Sequence, residues 1–479
     1  MNENKYLNEV FGDESIGATE KERAKTSNHR FVRSQVQIAY ASPQAKGRIF
    51  TAVEVLEKFG LKILSKVAQE GAASLISDPS EPAATLKARR IELGLMPEEL
   101  ARSANVKTSD VINAETAGKL SKMRTLESIA QALALDEMLL GYQSNGGRDS
   151  DLGVRLREMS SHKDSKKPEA NIFDGRTVLG LTEAAWVFSK QQDIVEMLGY
   201  KSSKRINFNI KHETKLEKLA YEAGYGLAKK TRKMLGLSLM DPIDSLRVLI
   251  EEVLEIPLVQ QSLASEFSGA TISNGNVRGI VVNENGTNSN VWVRRMTLSH
   301  ELCHLLWDSE ENLNKLQVDR YVDMERSVTD PKQDYVEMRA NAFAIEFLLP
   351  HDAVKQMSAK FPDIRDLIEE AMVKFGVGAG AAKYHIHNVT KRVTSQVKNT
   401  TLPNPDLSWV ARENLSIDYF PVESTPITRR GKFAWIVALA CENKIITSDS
   451  AASFLCCKES EFIDGMKTII ELGSEVIAK

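Results

Sequence analysis

Residues 298–307 read LSHELCHLLW, and no other stretch restricts the fold as sharply. His300, Glu301 and His304 form the pattern H-E-x-x-H. On an α-helix, positions i and i+4 lie on one face, so a helix brings both imidazoles within reach of one ion. Glu301 sits one residue round from His300, where a carboxylate can reach a water on that ion. A catalytic zinc takes three protein ligands and keeps one position open, so this reading needs a third ligand. The alternative is two buried histidines that share a face by chance.

The next strongly patterned segment supplies a candidate. DYVEMRANAFAIEFLL (334–349), closed by Pro350, reads as a mostly buried helix through Ala340, Phe343, Ala344, Phe347 and Leu348. Glu337 lies on it between Val336 and Met338. A carboxylate on such a helix needs a partner, either an ion or a basic side chain such as Arg339. Asn341, four residues on, can orient a ligand histidine from behind. Cys303 points away from the histidine face and reads as a small buried hydrophobe.

At 479 residues the chain exceeds a single ordinary core, and several domains are expected. Its 42% hydrophobic and 27% charged residues suit a globular protein. A net charge of −3 excludes a chain-wide basic field for nucleic acid, so any such site must be local. Four cysteines without a C-x-x-C exclude a disulfide framework or a cysteine zinc cluster and fit a reducing cytoplasm. The stretch MNENKYLNEVFGDESIG lacks a signal-peptide pattern. FAWIVALA (433–440) is too short to span a bilayer and reads as a buried helix, so no membrane role is expected.

Along the chain, 1–80 reads as a helical region of unassigned role, with TAVEVLEKFGLKILSKVAQEGAASLI (51–76) at helical spacing. Residues 82–142 form a compact helical set. Residues 143–213 are a linker and helical connector, with polar stretches at 144–151 and 162–170 and a helix near 177–198. Residues 214–395 combine helices with the strand-like runs IPLVQQ (256–261), GATIS (269–273) and GIVVN (279–283). Within them DPIDSLRVLIEEVL (241–254) reads as a helix capped by Asp241, with Pro242 in its first turn. Residues 406–479 form a helical C-terminal region in which Ser448 is a candidate cap. The fold class is mainly α with a small β-sheet.

Two resemblances rest on these residues. GIVVN, then RRMTLSHELCHLL, then EMRANAFAIEFLLP resembles the ImmA/IrrE family of metallopeptidases over about Lys215 to Arg392, two separated motifs agreeing in order and spacing. The resemblance implies a zincin-like domain with His300, His304 and Glu337 as metal ligands and Glu301 as general base. The metal would be zinc, with manganese as the alternative. Ser299, Cys303 and Met296 depart from the usual Ala, Gly and Phe, and none is a ligand. In FGVGAGAAKYHIHN (375–388), His385 stands where arginine is usual; His385 and His387 alternate and could bind metal, but read preferentially as exposed polar positions.

Residues 82–142 resemble the XRE (Cro/CI-like) helix-turn-helix family, with Thr108 to Glu115 as the recognition helix. Lys107, Thr108, Ser109 and Asn113 are then the candidate DNA contacts. Pro97 replaces a frequent glutamine, Asp110 would repel phosphate, and eight basic residues face eight acidic ones. A neutral domain gains little from counterion release, so docking to protein or homodimerisation stays open beside DNA binding.

The reading as a whole is a cytoplasmic, zinc-dependent metalloendopeptidase and regulator acting on a partner protein, by resemblance a repressor or antitoxin. The alternatives are an XRE-type transcriptional regulator with a non-catalytic metal site, and a toxin–antitoxin or phage-defence component whose peptidase domain senses a partner.

Overall fold

A computed structural model describes residues 3–44, 46–76, 78–142, 175–200, 219–264, 267–274, 277–309, 313, 317–320, 331–413 and 420–477. They form a mainly helical α and β fold, in agreement with the expected class. The chain divides into two compact units, Met1–Ser203 with Ser416–Lys479, and Lys204–Leu415. The polar connectors at 144–151 and 162–170 lie outside the described residues. Among the described residues no helix is long and apolar enough to cross a membrane.

The first unit corrects the helical reading of residues 1–80. It contains an antiparallel sheet of β1 (Arg30–Arg33), β2 (Gln37–Tyr40), β3 (Arg48–Thr51) and β4 (Ala72–Ser74), in the order β3-β1-β2-β4. Strands this short show no periodicity long enough to read, and their stability comes from pairing and burial of Phe31, Ile38 and Phe50. The helix expected over 51–76 stops at Glu70, where Gly71 takes a left-handed φ of 81°, and the chain returns as β4.

The C-terminal segment does not stand apart as expected. Thr51 Oγ1 donates to Ile445 O at 2.6 Å, and Thr447 Oγ1 donates to Ile49 O at 3.0 Å. These bonds fasten the Lys432–Glu442 and Ser448–Phe454 helices to β3. Thr447, not Ser448, caps the latter helix, accepting from Ser450 N at 3.0 Å.

Residues 82–142 fold as helices Ala83–Glu92, Pro97–Ser103, Thr108–Ala114 and Met123–Ala132 around Leu86, Leu100, Val111, Leu126 and Ile129. The second and third are joined by a four-residue turn, with Asn105 at φ 52°.

In the second unit, β5 (Leu258–Gln261), β6 (Phe267–Asn274), β7 (Val277–Asn283) and β8 (Gln317–Arg320) form a sheet in the order β5-β7-β6-β8. β5 runs parallel to β7, and the other pairs are antiparallel. Ile280, Val281 and Val282 are all buried, which explains why GIVVN is continuously apolar: an inner strand covered on both faces has no polar side. Asn283 at its end donates through Nδ2 to Ala264 O and Phe267 O at 2.8 and 2.7 Å, fixing the loop into β6.

The helix expected from Asp241 starts later, at Leu246. Ser245 caps it by accepting from Val248 N at 3.2 Å, while the Asp241 carbonyl is taken by Arg232 Nη2 at 2.6 Å. The H-E-x-x-H helix runs Val291–Trp307, capped by Asn290, and the Glu337 helix runs Pro331–Leu348. The first is buried on every face, since the sheet, the Glu337 helix and Leu407–Glu413 pack around it. Arg295 anchors it, donating to Gly376 O at 3.1 Å and Ile243 O at 2.7 Å and pairing with Glu413.

Candidate metal centre

One turn of helix separates His300 from His304, and their Nε2 atoms lie 3.0 Å apart. Glu337 Oε2, from the neighbouring helix, lies 3.2 Å from His300 Nε2 and 3.8 Å from His304 Nε2. Both histidines are fully buried, and the Glu337 side chain keeps 15% exposure, so the site opens on its side.

The opposite ring nitrogens are held from behind. His300 Nδ1 lies 2.9 Å from Asn341 Oδ1, and His304 Nδ1 lies 2.9 Å from Asp308 Oδ2. Both partners are acceptors, so each histidine donates from Nδ1 and turns an Nε2 lone pair toward the other and toward Glu337. Three lone pairs converging at these distances suit a cation between them. About 3.3 Å separates ligand atoms around a tetrahedral ion with ~2.0–2.1 Å bonds, and the observed separations bracket that value. The donor set fits zinc.

Asp308 belongs to this site and was not legible as such. Its other oxygen pairs with Arg339, which therefore does not serve Glu337. Residues two apart on a helix do not face the same way. Burial opposes a charge on His304, but the Asp308 carboxylate and its hydrogen bond, with Glu337, outweigh it and raise the His304 pKa. Burial also pushes Asp308 upward, and the His304 and Arg339 charges and hydrogen bonds more than reverse this. The site thus favours positive charge at the point where the ligands meet. Cys303 is buried, burial pushes its thiol up to about 12, and its sulfur is not among the atoms that converge with His300, His304 and Glu337.

Glu301 is placed by the sheet. Thr271 Oγ1 donates to Glu301 Oε2 at 2.6 Å. Gly269, two residues back on the same face of β6, leaves the space: a Cβ there would stand 2.8 Å from Glu301 Oε1 and 2.9 Å from Thr297 Cγ2. Thr297 in turn donates to Asn288 Oδ1 at 3.0 Å, and Asn288 Nδ2 to Ser268 O at 2.9 Å, which ties β6 to the motif helix. The period-2 pattern of GATIS was the one signal that Gly269 and Thr271 share a face.

The candidate DNA contacts belong to the other unit. Lys107 and Ser109 are exposed and Thr108 and Asn113 half-buried along Thr108–Ala114. Asp110 accepts from Lys107 N at 3.3 Å, closing the helix start, and exposed Ile112 lies beside Asn113. His385 corrects its exposed reading: it is fully buried, facing Glu346 and His351.

A helix carrying two histidines and a carboxylate, with a second carboxylate converging from the next helix and an inner strand of a sheet beside it, suits a metallopeptidase-type domain. Residues 259–387 match the family model of the IrrE N-terminal-like domain, a family of peptidases. The match spans roughly a quarter of the chain and supports a metallopeptidase domain of the ImmA/IrrE type over those residues. A search of curated proteins finds no match to the chain.

Proposed function

We propose that residues 214–395 form a zinc-dependent metalloendopeptidase that cuts a peptide bond in a partner protein, with manganese as the alternative metal. The observation that carries this reading is the convergence of His300 Nε2, His304 Nε2 and Glu337 Oε2 beside a carboxylate on the same helix turn. Zinc held there supplies Lewis acidity and makes water a nucleophile near neutral pH. Asn341 and Asp308 keep the histidine rings in register and in the tautomer that binds. Glu301, positioned by Thr271, takes the proton released in the attack and returns it to the leaving amine. A base in this position favours catalysis over a purely structural ion, which needs none.

The resemblance of the domain makes a repressor or antitoxin protein the substrate class. The test is incubation of the full chain with proteins encoded beside it. Cleavage at a discrete bond should disappear on chelation and return with zinc. Cleavage that survives chelation, or none from metal-loaded protein, contradicts the reading.

The 82–142 bundle is assigned the targeting role, on DNA through Lys107, Thr108, Ser109 and Asn113. Its two helices joined by a four-residue turn support this. Binding to the protein's own promoter region should be modest and weaken steeply with salt. No shift at low salt would instead favour docking to protein, for which exposed Met96, Ile112 and Leu120 offer apolar contacts.

A further inference from the structure

A second group of metal-binding side chains lies in the same unit. Glu346 is on the Glu337 helix, His351 opens the His351–Lys360 helix, and His385 is on the Ala379–Thr390 helix. Nine residues separate Glu337 from Glu346. That is about 13 Å along the helix and roughly half a turn round it, so the two carboxylates face opposite ways.

Glu346 and His385 are fully buried. Glu346 Oε2 bonds to His351 Nδ1 and lies 3.4 Å from His385 Nε2. The two imidazole rings meet edge-on at 4.9 Å, and the Tyr225 ring walls both, at 4.6 and 5.6 Å. The carboxylate also accepts from His351 N at 3.1 and 3.2 Å, and Lys229 Nζ stands 3.9 Å from Oε1. Two imidazoles and a carboxylate, their ligand atoms all within 4.8 Å, are thus gathered from three helices.

Local charge balance alone accounts for part of this. Glu346 caps the helix that starts at His351, and Lys229 offsets some of its charge. It does not account for His385. Its Nε2 stands 3.4 Å from Glu346 Oε2, and neither ring nitrogen makes a hydrogen bond of good geometry among the described residues, an unfavourable state for a buried polar group. A divalent ion between Nε2 and the carboxylate satisfies that nitrogen, and two nitrogens with one oxygen suit zinc and its neighbours. The His351 side chain keeps 20% exposure, which gives an ion and its remaining water a way in.

We propose that Glu346, His351 and His385 form a second site for a divalent transition-metal ion, separate from the H-E-x-x-H centre, tying three helices together. The test is zinc titration of the metal-stripped full chain, followed by calorimetry and metal analysis. Wild type should take up about one equivalent more than His385→Arg, in which a guanidinium pairs with the Glu346 carboxylate so that the buried charge keeps a partner. Equal uptake by the two overturns the proposal. Should His385→Arg fail to fold, Glu337→Ala decides. An equivalent retained there and lost on adding His351→Ala supports the second site, and no uptake by Glu337→Ala overturns it. Failure of the first centre reads differently, as a wild type whose whole uptake is lost in His385→Arg.

Discussion

Exchanging Glu301 for Gln is expected to leave the fold and the bound metal intact while cleavage of the partner falls by about 10²–10⁴-fold, the usual contribution of a general base. Glu301 is not among the converging ligand atoms, so the ion does not depend on it. The Thr271 hydroxyl donates to its carboxylate at 2.6 Å, and a glutamine carbonyl can still accept that bond. Gly269 leaves room for either side chain. What Gln cannot do is take up a proton and give it back. Metal content, partner cleavage and the cellular response should be read on the same variant. Retained metal with lost cleavage and lost response agrees with the account. Retained metal with full cleavage would mean that Glu301 is not the base, and an unchanged cellular response would mean regulation by binding alone.

Replacing Arg295 by Met should cost about 3–5 kcal/mol of unfolding free energy, the range for breaking one side of a buried ion pair. The guanidinium and the Glu413 side chain are both almost wholly buried. Arg295 also bonds the backbone at Ile243 and Gly376 and lies over the Trp409 ring at 4.6 Å. Glu413 accepts from Leu246 N and Arg247 N at 2.8 and 3.0 Å, so its carboxylate cannot turn to water when Arg295 is gone. Adding Glu413→Gln should recover part of the loss by removing the stranded charge. Urea unfolding of both variants, with metal held constant, measures this. A loss below about 1 kcal/mol for Arg295→Met, the level of an exposed pair, would show that Arg295 does not anchor the motif helix.

Much of the centre could be read from residue order because it is built on helices. Helical spacing puts His300 over His304, and the buried periodicity around Glu337 and Asn341 sets that helix against it. Asp308 is not legible because it lies at the end of the motif helix, where the pattern stops, and from sequence Arg339 stands only as an alternative partner of Glu337. The sheet side was harder. Gly269 and Thr271 matter through contact with Glu301 some thirty residues away, which no local pattern encodes. The same holds for the Glu346, His351 and His385 cluster, whose members come from three helices. The four-stranded sheet of the first unit was missed because strands of three or four residues carry almost no alternation, and residues 406–479 were set apart, although 416–479 belong to the first unit, because long-range packing on β3 leaves no trace in composition.

The most direct test of the central claim is a crystal structure of zinc-loaded protein with anomalous scattering recorded at the zinc edge. The account predicts an anomalous peak about 2.0–2.2 Å from His300 Nε2, His304 Nε2 and Glu337 Oε2 together, with Glu301 near the ion but outside its protein ligands. A zinc-loaded crystal with no peak between these three atoms would contradict it.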